Sequence, residues 1–120
     1  VSVVEETAAL AALLSTLDGS QVYTEPDAAI NLPAIMIGPP ELSWTVFNGS
    51  GPDQAKWLLY LIVKANGDAL AALEQMIGQV AALLFATPGA PVITDPAVPD
   101  SWKSGGADLP AYVLTIEGNV

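Results

Sequence analysis

The chain has no cysteine, no histidine and no arginine, and among its 120 residues only three carry a positive charge: Lys56, Lys64 and Lys103. Each absence removes a class of chemistry. Without cysteine there are no disulfides, no thiolate zinc sites and no cysteine nucleophile. Without histidine the usual general base and the commonest transition-metal ligand are gone. Nucleic-acid binding relies on cations that displace counterions from phosphates, and a chain with 13 acids, three lysines and a net charge of -10 presents the opposite footprint. Specific nucleic-acid binding is therefore not expected.

Aliphatic residues are abundant instead. The hydrophobic fraction is 52%, and the mean hydropathy of +0.47 is high for a lone small domain. Such a length fits one domain, 1–120, with a core that hides roughly two-thirds of the unfolded surface. The apolar surplus needs a sink: a fuller core, a membrane or a partner. The best membrane candidate, residues 68–86, has Glu74, Gln75 and Gln79 near its middle. A carboxylate there costs about 2.5–3.5 kcal/mol on insertion, and no lysine anchors its ends. Glu5 and Glu6 stand where an export signal wants positive charge, so neither a membrane nor an export signal is expected. A partner surface is the favoured sink.

Local patterns lay out the elements. Ser2 and Glu5 fit a capping box. Leu10, Leu13, Leu14 and Leu17 then follow at helical spacing to Asp18-Gly19, which predicts a first helix over about 3–17. Short strands are predicted at 21–25, 33–40 and 41–47, with an emphatic stop at Gly38-Pro39-Pro40 and a hairpin signal in Asn48-Gly49. A long strand follows over 55–65. The second helix carries a seam of Leu70, Leu73, Ile77, Val80 and Leu84, widened by Met76, Leu83 and Phe85. A Pro/Gly-rich segment at 88–110 reads as a short strand at 92–94 and a long loop from about 95 to 108, before a closing strand at 111–118. Hairpin-type links favour a mainly antiparallel sheet of four or five strands with both helices packed on one face, an α+β fold.

The long strand, AKWLLYLIVKA, is apolar on both alternating faces. A strand at the rim of a small domain normally hides one face and wets the other. Trp57, Leu59, Leu61 and Val63 suit the helix side, which leaves Lys56, Leu58, Tyr60, Ile62 and Lys64 looking away. Two covers are open to that second face: the Pro-rich loop folding back with Trp102 on top, or another molecule.

Tests for a catalytic or metal site find none. Glu5 and Glu6 suit a helix N-terminus. Asp95, Asp100 and Asp108 match no cation-loop spacing. The stretch 49–54 lacks the last glycine of a dinucleotide fingerprint and precedes a strand, so it reads as a turn. No serine has a lysine placed as its base. No catalytic, cofactor or metal residue is assigned, and no enzyme activity is expected. Aromatic residues carry more weight. Trp57 belongs in the core, whereas Trp44 and Trp102 sit in predicted loops, where large amphipathic side chains serve as interface anchors.

The ordered features are an amphipathic helix, a short strand, PAIMIGPPE followed by a Trp, a Gly-rich turn, WLLYLIVKANGDALAALEQMIGQVAALL, a Pro/Gly-rich loop and a closing AYVLTIEG. Over nearly the whole chain this order resembles the tail terminator (tail completion) proteins of long-tailed bacteriophages. The resemblance implies an α/β sandwich without cofactor or catalytic activity. It further implies a six-membered ring of the protein that caps the tail tube, ends its polymerisation and joins it to the neck. Expected partners are then the protein itself, the tail tube protein and a neck or head completion protein, with genomic DNA passing only as cargo. The place would be the virion tail at its neck end, after assembly in the bacterial host cytoplasm. A negative lumen would keep DNA from adhering, within a screening length of ~8 Å. The absence of arginine departs from the pattern and leaves ring contacts to apolar burial and the three lysines.

A ring contact uses two different patches on each subunit. The exposure argument nominates Trp44, Phe47, Leu58, Tyr60, Ile62 and Trp102, with Lys56, Lys64 and Lys103. Two other readings compete: a different neck or connector completion protein, and a small acidic ligand-binding domain whose apolar surplus lines a pocket.

Overall fold

A computed structural model of the chain describes residues 3–17, 21–24, 31–44, 51–104 and 106–119. Its elements run α1 (Val3–Leu14), β1 (Gln21–Tyr23), β2 (Ala34–Ile37), β3 (Glu41–Ser43), β4 (Gln54–Ile62), α2 (Ala69–Ala86), β5 (Val92–Ile93), β6 (Val98–Ser104) and β7 (Ala107–Asn119). The fold is mixed α+β, with two helices and an open sheet of seven strands among the described residues, rather than four or five.

The centre of the sheet is the antiparallel pair β4 and β7, in register from Gln54↔Asn119 to Ile62↔Ala111. Two short strands share each outer flank of this pair. β2 and β3 divide the free side of β4, and β5 and β6 divide that of β7. The short strands expected at 21–25, 33–40, 41–47 and 92–94 all join this one sheet, and β6, in the stretch expected as a loop, adds a further strand. The sheet is mainly antiparallel, with one parallel pair, β1 on β2.

The alternation of β4 sorts its side chains as its sequence predicts. Trp57, Leu59, Leu61 and Val63 join Leu10 and Leu14 of α1, and Leu73, Met76, Val80 and Leu84 of α2, in the main core. Both helices thus lie on one face. Trp57 is buried, and its Nε1–H donates to Thr7 Oγ1 at 3.1 Å. That bond satisfies the one polar group of the largest core side chain and ties α1 to the sheet. α1 ends earlier than predicted, at Leu14, with Ser15 and Thr16 hydroxyls donating back to Ala11 and Leu13 carbonyls. The predicted cap at Ser2, the stop at Asp18-Gly19 and the Asn48-Gly49 turn lie outside the described residues.

The long loop expected from about 95 to 108 is instead mostly strand. β6 pairs with β7 from Val98↔Val113 to Ser104↔Ala107, closing a hairpin at Gly106, whose φ of 84° suits glycine. Pro99 and Pro110 lie within this ladder. Prolines favour a loop, but Pro99 is on β6, an outer strand, where a missing N–H costs little, and Pro110 on β7 lies just beyond the last β4 pair, Ile62↔Ala111. β7 accordingly starts four residues before the predicted 111.

Candidate protein interface

The second face of the sheet has its own small core. Ala34, Met36, Ile62 and Ala111 are buried there, with Tyr23, Leu32, Tyr60, Trp102 and Leu109 packed around them. Trp102 comes from β6 and lies over Tyr60, with ring centroids 5.2 Å apart and planes tilted by 58°. Such tilted geometry suits the quadrupoles of two aromatic rings. Of the two covers open to this face, the chain itself supplies one at this end: Trp102 lies on Tyr60. Ile62 has no exposed surface, so it adds nothing to an outward patch.

Cover stops short of the other end of the strand. Leu58 remains 37% exposed, and Trp44, just past β3, is 58% exposed. Lys56 lies on the same face, opposite Glu41 on β3 and Glu117 on β7. Gly38 explains why the chain passes so close here: its N–H donates to Leu58 O at 2.9 Å, and a Cβ at this position would stand 3.3 Å from that oxygen. The sheet thus brings Lys56 and Leu58 together on one face, and Trp44 follows β3 at the same end. Lys64 is exposed after the end of β4. Lys103 is exposed on the hairpin, opposite Asp108. Phe47 lies outside the described residues.

A second apolar surface was not legible from spacing. Ala81, Ala82, Leu84 and Phe85 of α2, with Pro91, Val92 and Ile93, line an open groove of about 540 Å³. Phe85 is 95% exposed and Val92 is 62% exposed. Phe85 does not widen the buried seam as its sequence position suggests: at about 100° per residue it lies well round the helix from Val80 and Leu84. Leu70 lies on the seam yet is 59% exposed, because it occupies the first turn of α2. The signal that could have marked Phe85 is its place among Gln75, Gly78, Gln79 and Ala82, the exposed side of α2.

That helix is long and apolar enough, by length and composition, to cross a membrane, with a mean hydropathy of 1.6. Here its buried stripe of Leu73, Met76, Val80 and Leu84 packs on the sheet. No group of three or more acidic side chains is placed to hold a metal ion among the described residues.

No protein-family profile and no curated protein sequence matches the chain. Among solved structures, the fold is similar to that of the bacteriophage SPP1 gp17 protein. The match has a TM-score of 0.52 at 11% sequence identity and covers 96% of this chain and 88% of that one.

Proposed function

We propose that the protein is a structural subunit of a bacteriophage tail. It forms a ring, six-membered, that caps the tail tube, ends tube growth and joins the tube to the neck. The observation that carries this reading is the fold shared with the SPP1 gp17 protein across nearly the whole of both chains. The order of elements and the texture of the sequence point the same way. Support from the surface is independent of fold. A chain of net charge -10 that leaves Trp44, Leu58, Phe85 and Val92 exposed carries several large apolar side chains awaiting partners. The role is non-catalytic, placed in the virion at the neck end of the tail. DNA passes through the ring as cargo, past a surface of its own sign.

In this reading the ring contact is heterologous. One side is the uncovered end of the second face, with Trp44 and Leu58 as apolar anchors and Lys56 beside them. Lys64 and Lys103 supply the remaining cations. The test is electron microscopy of the protein mixed with assembled tail tubes. A six-fold ring at one end of each tube supports the reading. Binding along the tube, or to the head side alone, defeats it and favours another neck component.

A further inference from the structure

We infer that the groove beside β5 is a docking site for an extended segment of a partner protein in which apolar and basic side chains alternate. The inference goes beyond the tail role and stands whether or not that role holds. Among the described residues β5 ends the sheet, pairing with β7 on one side only, so its outer edge offers backbone groups to an added strand. Neighbouring positions on β5 point to opposite faces. Ile93 pairs with Ile116 of the main core, on the side where α2 lies, and Val92 pairs with Glu117 on the other side. An added strand, having the same period of two, would send alternate side chains to two unlike environments. On the helix side they meet Phe85, Leu84 and Ile93, all apolar. On the other side they meet Val92 and Glu117, which lie together on an adjoining cleft.

The charge around the groove selects the occupant. Glu117 flanks Val92, the exposed Asp95 follows the strand, and Glu6 lines the adjacent cleft with Pro91. The one lysine in this region, Lys56, is opposite Glu117 on β4, a strand further in. An acidic segment, or another copy of this acidic chain, meets repulsion here, whereas lysine or arginine at every second position gains attraction. The short β5 edge limits the added ladder, so the apolar contact with Phe85 has to anchor it.

Selection of random peptides on the full chain tests this. Enriched peptides should alternate apolar residues with Lys or Arg. Their binding should weaken about tenfold in Phe85→Ser, in keeping with loss of an anchor, and weaken further as salt rises from about 0.05 M to about 0.5 M. Glu117→Gln should reduce the preference for basic residues while retaining the apolar one. Far-UV circular dichroism confirms that each variant folds. No enrichment, enrichment of acidic or charge-blind sequences, or equal binding to Phe85→Ser overturns the inference. So does occupation of the groove by a second copy, seen as self-association that Phe85→Ser abolishes.

Discussion

Replacing Trp102 with alanine probes the cover of the second face most directly. A wholly buried tryptophan hides roughly 150–250 Å², and Trp102 is half-buried against Tyr60 and the small core beneath it. Half that area at about 25 cal/mol per Å² amounts to roughly 2–3 kcal/mol. The tilted ring contact at 5.2 Å adds about 0.5–1.5 kcal/mol. Because unfolded chains already hide some of this surface, Trp102→Ala should cost about 2–4 kcal/mol. Urea unfolding followed by far-UV circular dichroism measures it, with the slope expected to stay constant while the midpoint falls. A double-mutant cycle with Tyr60→Leu should return a coupling of about 0.5–1.5 kcal/mol. A loss under about 0.5 kcal/mol, the range of ordinary surface changes, with zero coupling, would refute the reasoning. The second face would then be left to another molecule along its whole length.

Leu59→Ala, at a fully buried central position, should cost about 2–5 kcal/mol, whereas Phe85→Ala should change stability by less than about 0.5 kcal/mol; paired urea titrations check both. Thr7→Val leaves the Trp57 indole N–H without its acceptor and should cost about 1–3 kcal/mol, with thermal unfolding as the readout. Gly106→Val forces a β-branched residue into a backbone with φ of 84°, so a loss of about 1–2 kcal/mol is expected, together with faster amide exchange in β6 than in β4. Leu58→Lys should leave the fold intact and abolish ring formation at tube ends, scored by electron microscopy; rings formed at wild-type frequency would remove that strand face from the contact.

What the amino-acid order determined alone was local. The 3.6-residue stripe of Leu73, Val80 and Leu84 specifies a helix with one buried side, and the period of two in 57–63 sends Trp57, Leu59 and Leu61 to one core. Each signal is carried by residues close together in the chain and needs no partner to be read. Missing residue types were equally decisive, since an absent histidine or cysteine is absent in any fold. Tertiary structure decided which faces meet. Pairing β6 with β7 turned a proline-rich segment into a strand and set Trp102 on Tyr60, 42 positions away along the chain. Nothing local encodes that contact, because a half-covered strand and an uncovered one share the same alternation. Likewise the groove beside Phe85 depends on where α2 meets β5, a juxtaposition that sheet order creates and spacing along the helix cannot.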